Sequence, residues 1–298
     1  MRKAAVLLVV VLGVFVVVGI VLVQSMFVLQ RVAAVSAVQG QVSLKLHSAT
    51  EFVPLGTRQR VGSGDTLQTG ADSTVDLNWV DGTRIRLAPN TTMTVRSCQI
   101  NQSSGAETSL FDLGIGKVWV RVLKLLSQKS KFEVHTPTAT AGVRGTIFSV
   151  QVDASGKTSV SVDEGAVVVN PASGGAATTS EVKAKQALDL GADAVVHEMS
   201  GTELADWQTA NDIKGPLVNL SAPAEGATCQ AGGTVTVSGT VERGAQLTVN
   251  GQPVQAERKG QFSAPVTVPA GAKSLEVKLV ARDARGYATT ITRTLKGQ

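Results

Sequence analysis

Residues 73–95, STVDLNWVDGTRIRLAPNTTMTV, constrain the fold more than any other stretch. Val75, Leu77 and Trp79 alternate with polar neighbours, Asp81-Gly82 follows, and Ile85 and Leu87 alternate again. Successive side chains of a strand point to opposite faces, so this spacing buries one face of each arm and joins the arms by a tight turn. The pattern recurs in VQGQVSLKL (38–46), GKVWVRV (116–122), TIFSVQV (146–152), TSVSVDEGAVVVN (158–170) and EVKAKQALDL (181–190). Gly40, Gly116 and Gly165 each precede a valine strand, a weak repeat that suggests stacked β turns rather than one tight barrel. LKLLSQKSKF (123–132) reads as a short helix or an exposed crossover, and PASGGAATTS (171–180) as an exposed loop. The expected class is all-β.

The strand pattern is interrupted once and then restarts. GTELADWQTANDIKG (201–215) has helix features: Thr202 could cap it, Leu204 and Trp207 are three apart, and Gly215-Pro216 stops it. It reads as a connector, with Trp207 plugging it onto a neighbouring face. From Pro216 onward short strands recur every 10 to 14 residues, and Asn250-Gly251 marks a tight hairpin. That is the pattern of a small β-sandwich.

At the other end, residues 4–23 (AAVLLVVVLGVFVVVGIVLV) carry no charge. As a helix the run spans about 30 Å, the thickness of a bilayer's hydrocarbon core. It exceeds the core of a secretory signal, although VSA at 35–37 resembles a cleavage site. Arg2 and Lys3 precede the run and only Arg31 follows closely, so the expected topology keeps the amino end in the cytoplasm. The chain thus divides into a membrane anchor (1–31), a β domain (35–200), a connector (201–215) and a sandwich (216–298).

Several classes of function are excluded by what the sequence lacks. The formal charge of +5 is scattered as single residues, without the clustered basic stripe of a nucleic-acid platform, so no nucleic acid is expected. Cys98 and Cys229 fall in different domains and read as unpaired, with no disulfide framework and no metal site. His47, His135 and His197 are isolated. Asp72 and Asp76 lack calcium-loop spacing, and Asp163-Glu164 before Gly165 reads as a turn. No nucleophile, base and orienting group form a readable set, so no catalytic residue, no cofactor and no enzyme activity are expected.

One stretch asks for its own explanation. TPTATAGVRGTIFSV (136–150) sets Gly142 and Gly145 around Val143 and Arg144 between two strands. A phosphate-cradling loop would precede a helix, and this one precedes a strand. The expectation is a structural motif: Gly142 and Gly145 form a corner, and Arg144 ties strands together through carbonyl or carboxylate hydrogen bonds.

The order RVGSGDTLQTGADSTVDLNWVDGTRIRLAPNTTMTV, GKVWVRV, FEVHTPTATAGVRGTIFSV and VSVDEGAVVV closely resembles the FecR domain, the ferric-citrate regulator family. The resemblance covers about residues 38–190 and implies an extracytoplasmic β-solenoid-like or rolled fold. Residues 216–298, with GAQLTVNGQPV, GQFSAPVTV and SLEVKLVARDARGYA, resemble a bacterial immunoglobulin-like domain. Signalling members of the FecR family carry a cytoplasmic domain that holds a sigma factor, whereas here Met1, Arg2 and Lys3 alone precede the apolar run. A sigma factor is therefore not expected as partner. The expected function is a single-pass, membrane-anchored scaffold of the bacterial envelope, its bulk periplasmic or extracellular, engaging an envelope protein or cell-wall glycan. The alternative is a component of cell-surface signalling, a FecR-type sensor that lacks its own sigma-binding part.

Overall fold

The structure, a computed structural model, describes residues 28–123, 125, 127–172, 179–190, 194–284 and 286–297. The expected membrane helix at about 4–23 lies outside the described residues. Among the described residues no helix is long and apolar enough to cross a membrane.

The first unit is built entirely of strands. In chain order they begin β1 (Val28–Gln30), β2 (Ala33–Gln39), β3 (Val42–Lys45), β4 (Val53–Pro54), β5 (Arg60–Val61) and β6 (Thr66–Thr69). There follow β7 (Thr74–Asn78), β8 (Arg84–Leu87), β9 (Thr92–Asn101), β10 (Ala106–Arg121), β11 (Lys131–His135) and β12 (Ala139–Val143). The unit ends with β13 (Ile147–Val152), β14 (Thr158–Glu164), β15 (Ala166–Pro171), β16 (Ser180–Lys183), β17 (Gln186–Leu190) and β18 (Ala194–Glu198).

Two sheets share one strand. The first runs β4–β3–β6–β9–β10–β11–β12–β15–β16, with β1 beside the far end of β9. The second runs β5–β2–β7–β8–β10–β13–β14–β17–β18. The amino-terminal part of β10 lies in the first sheet and its last six residues in the second. The changeover is at Gly116, whose φ of +93° only glycine adopts freely, and whose added Cβ would meet Thr91 Oγ1 at 2.3 Å. A register shift between Leu113 and Ile115 adds to the bend.

The inward residues of both sheets form one core. Leu77, Ile85, Leu87, Val118, Val120 and Phe148 from the second sheet meet Leu67, Met93, Val95, Phe111, Leu113 and Phe132 from the first. Trp79, Phe111, Phe132 and Phe148 stack edge-on or tilted in a row, at successive centroid distances of 5.6, 5.2 and 6.3 Å. That is the favoured range for aromatic pairs. Cys98 is buried in this core and Cys229 in the other; both are free thiols. Burial pushes the Cys98 thiol up to about 11.

The unit reaches back further than residue 35. Strand β1 pairs with β9, and Ala33 and Val35 are core residues. Arg31, read from sequence as a flanking membrane charge, instead pairs with Asp81 at 2.5 Å and Glu107 at 3.4 Å.

The second unit is a sandwich. Its strands are β19 (Val218–Ala222), β20 (Thr228–Cys229), β21 (Thr234–Val241), β22 (Gln246–Val249), β23 (Gln252–Val254), β24 (Gln261–Thr267), β25 (Ser274–Arg282) and β26 (Ala288–Gly297). A three-stranded sheet, β19–β21–β24, faces a five-stranded one, β20–β26–β25–β22–β23. Val237, Leu247, Phe262, Val277, Leu279 and Leu295 fill the space between.

Between the units lie two short helices, α1 (Gly201–Thr209) and α2 (Asn211–Lys214). The cap of α1 is Ser200, two residues ahead of the expected Thr202. Ser200 Oγ accepts from Glu203 N, and the Glu203 carboxylate accepts from Ser200 N at 2.7 Å, a reciprocal capping box.

Candidate interaction site at the interdomain joint

The outward residues of the second sheet make the site. In β8 the inward Ile85 and Leu87 alternate with Arg84 and Arg86; in β10 the inward Val118 and Val120 alternate with Lys117, Trp119 and Arg121. Period two sends these polar side chains off the core, where a bare sheet would give them to water. Here they are covered by the connector and the sandwich. Arg84 is 6% exposed and Arg121 is 1% exposed.

Three carboxylates from the covering elements meet them or their neighbours. Asp212 of α2 accepts two hydrogen bonds of 2.7 Å from Arg86, which also donates two of 2.6 Å to Asp76 of β7. Glu242, just after β21, accepts from both terminal nitrogens of Arg121 at 2.9 and 2.8 Å and from the backbone N of Leu217 at 2.9 Å. Asp206 of α1 accepts from Lys117 Nζ and, at 3.2 Å, from Trp119 Nε1. Among the described residues no carboxylate pairs with Arg84. Its Nη1 donates to the carbonyls of Asp212 and Gly215 at 2.9 and 3.3 Å, and its Nε has no partner among the described residues.

A fourth carboxylate works in the opposite direction. Asp163 of β14, read from sequence as a turn residue, lies inside the strand and is 4% exposed. It accepts from Lys185 at 2.6 Å and from Lys214 of α2 at 2.9 Å, and the Tyr287 hydroxyl lies 3.5 Å away. The Lys214 ammonium also sits over the Trp207 ring, 5.0 Å from its centroid. Trp207 is 2% exposed and donates to Ser161 Oγ at 3.0 Å. With Trp119, Ile147, Met199, Ala210 and Ile213 it forms a third apolar cluster, wholly at the joint.

The electrostatics follow from this pairing. Burial pushes the Asp212 carboxyl up, but the hydrogen bonds and charge of Arg86 more than reverse it and hold it below the ordinary aspartate value. Burial against Arg121 has the same outcome for Glu242, and burial against Lys185 and Lys214 for Asp163. Burial pulls the Arg84 guanidinium below its ordinary value, opposed by the charges of Asp76 and Asp212. Beside the network a polar cleft of about 580 Å³ opens between β2, β19 and β26, with Asn78, Arg58 and Arg293 also on its walls.

The structural motif expected from sequence, Gly142, Arg144 and Gly145, lies elsewhere. Gly142 lies within β12, and a Cβ there would find only an ordinary 3.8 Å contact with Val168 O. Gly145 follows the end of β12 with φ of +100°, where the chain turns into β13. Arg144 does not tie strands: it is exposed and makes no hydrogen bond or ion pair among the described residues. Asp76 is occupied by Arg86 and is not available to a cation. Among the described residues no group of three or more His, Cys, Asp or Glu side chains is placed to hold a metal.

The fold and joint define an all-β protein in which a two-sheet unit and an immunoglobulin-like sandwich are joined through partly buried ion pairs. Comparison with protein families makes this particular. Residues 65–168 match the FecR protein family and residues 216–298 match glucodextranase, domain B, so the chain carries a FecR domain followed by an immunoglobulin-like one. No curated protein matches the sequence. Among solved structures, a candidate anti-sigma factor from Parabacteroides distasonis is 16% identical, with a TM-score of 0.38 over 51% of this chain and 66% of that one, just under two thirds of its length. The fibronectin(III)-like modules of Clostridium thermocellum CbhA are 11% identical, with a TM-score of 0.23 over 63% of this chain and 88% of theirs. A Bacteroides ovatus glucan-utilisation protein, SGBP-B, in complex with a mixed-linkage heptasaccharide, is 11% identical, with a TM-score of 0.19 over 87% of this chain and 60% of that one.

Proposed function

We propose that this chain is a FecR-type regulator of signalling in the cell envelope. The FecR domain at residues 65–168 is the observation that carries the reading. In it the apolar run at 4–23 is a single-pass anchor, and the two-sheet unit is the rolled, solenoid-like FecR body held outside the cytoplasm. The sandwich is a second extracytoplasmic module, and neither module is an enzyme. The sensed partner is a protein of the envelope. The tryptophans Trp79, Trp119 and Trp207 are all buried, which leaves none of these indole faces for a sugar ring. Deleting the gene and comparing transcripts tests the reading. A defined set of genes changes and is restored by the full-length chain but not by one lacking residues 65–168. An unchanged transcript profile sinks it.

A second reading, a non-signalling envelope scaffold, is favoured by the partly buried ion pairs of the joint, which tie the two modules to each other as a spacer requires. Crosslinking in intact membranes, followed by recovery of wall glycan with no change in transcription, would support that reading instead.

A further inference from the structure

The cleft at the joint has an open strand edge as one wall. In β26, Thr294 N donates to Glu225 and its carbonyl accepts from Gly226, so neither points at β25. On β25 the N–H and carbonyl of Lys278, opposite Thr292, are turned to Asn250 on the far side. Alternation then turns the N–H and carbonyl of Thr290 and Thr292 outward as well. Ala288 is closed off by Gly215, where an added Cβ would meet its carbonyl oxygen at 2.6 Å. The edge is therefore open at Thr290–Thr292, on the wall of the cleft. Unpaired strand edges are templates for another strand, and natural proteins usually blunt or cover them.

The charges around this edge leave a positive balance. Arg58, Arg84, Arg86 and Arg293 line the cleft against Asp76 and Asp212, a balance of four cations to two anions. Both carboxylates are engaged by Arg86. Arg58 is exposed, makes no side-chain hydrogen bond or ion pair among the described residues, and is held at φ of +69°, a conformation uncommon for arginine. Arg293 pairs with Glu225 at a long 3.9 Å.

We propose that this cleft binds an extended acidic segment of a partner protein, which adds as a strand to the Thr290–Thr292 edge while its carboxylates meet Arg58 and Arg293. Main-chain pairing would supply affinity and the arginines selectivity for acid. A second copy of this chain is disfavoured as occupant because it would bring the same positive charge. The inference goes beyond the signalling reading and stands or falls separately from it.

The test uses the full chain in a nonionic detergent and two displayed pools of nonapeptides. One pool has aspartate or glutamate at alternate positions and any residue between; the other has lysine at the same positions. The wild type should enrich the acidic pool at low ionic strength. Arg58→Glu, at an exposed loop position, should weaken binding of a selected peptide about tenfold. Thr292→Pro should abolish it, because proline removes an outward N–H and leaves the ladder with β25 intact. Equal enrichment of both pools, or a selected acidic peptide that binds Arg58→Glu and folded Thr292→Pro as tightly as wild type, overturns the proposal. Should Thr292→Pro fail to fold, Arg58→Glu alone decides, because unchanged affinity there refutes the charge contact.

Discussion

Arg121 and Glu242 form a two-pronged ion pair across the joint, with nitrogen–oxygen distances of 2.8 and 2.9 Å. Arg121 is the last residue of β10, and Glu242 follows β21 more than a hundred residues later. Breaking such a pair leaves a buried charge without compensation. Glu242→Ala should cost about 3 kcal/mol of stability, read as a lower denaturation midpoint. Replacing both partners, Arg121→Met with Glu242→Leu, should recover most of the loss. A single variant as stable as wild type would show that the pair contributes nothing.

Acid should loosen the joint before it melts the cores. Asp163, Asp212 and Glu242 are held below their ordinary values of 3.8, 3.8 and 4.5. A depressed folded-state value means that the stabilisation is complete above the ordinary value and is lost as pH falls through the lower, folded one. Hydrogen exchange in α1 and α2 should thus be flat from pH 7 down to about 5, after correction for intrinsic rates, and rise below about 4. Asp163→Asn should blunt that rise. Connector protection that declines between pH 7 and 5 would assign the control to other groups.

Gly145→Val should destabilise the first unit by about 1–3 kcal/mol, because a β-branched residue is forced to positive φ. Thermal melting of the full chain checks this. An unchanged melt combined with lost partner binding would make the corner a recognition loop.

The VSA motif should not be a processing site. Ala33 and Val35 are 0% and 2% exposed, and β2 pairs with β7 from Ala34 to Gln39. A chain starting at Val38 would lose most of a central strand, while one starting at Val28 retains every described contact. The first should be insoluble or molten by near-UV circular dichroism and the second folded. Mass spectrometry of native protein showing Val38 as the amino terminus would refute this.

Much of the architecture was readable because strands announce themselves locally. Asn250-Gly251 has φ of +48° and +79°, the two-residue hairpin its dipeptide predicts. At Asp81-Gly82 the turn is shifted by one: Gly82 N donates to Trp79 O, so Val80 and Asp81 are the central pair and Gly82 takes the left-handed position after them. The joint was not readable for a different reason. Arg84, Arg86 and Arg121 have the spacing of solvent-facing strand residues, and what buries them lies 121 to 205 residues further along. Trp207 was the one local clue, a bulky aromatic on a short connector. Arg144 misled because an arginine between two glycines suggests a tie, whereas it lies exposed at the turn and makes no hydrogen bond or ion pair among the described residues.

The sixteen-residue strand β10 has a mechanical meaning. Its first residue, Ala106, pairs with Asn101, which also pairs with Val28 at the described start of the chain, and its last, Arg121, grips the sandwich through Glu242. At about 3.3 Å per residue its contour is roughly 50 Å, bent at Gly116 and flanked on both sides by neighbours in both sheets. A tug on the sandwich therefore loads its ladder in shear, with many hydrogen bonds sharing the force at once. Peeling would have broken them one by one. Displacement at the sandwich end is passed along a single covalent path to the end nearest residue 28.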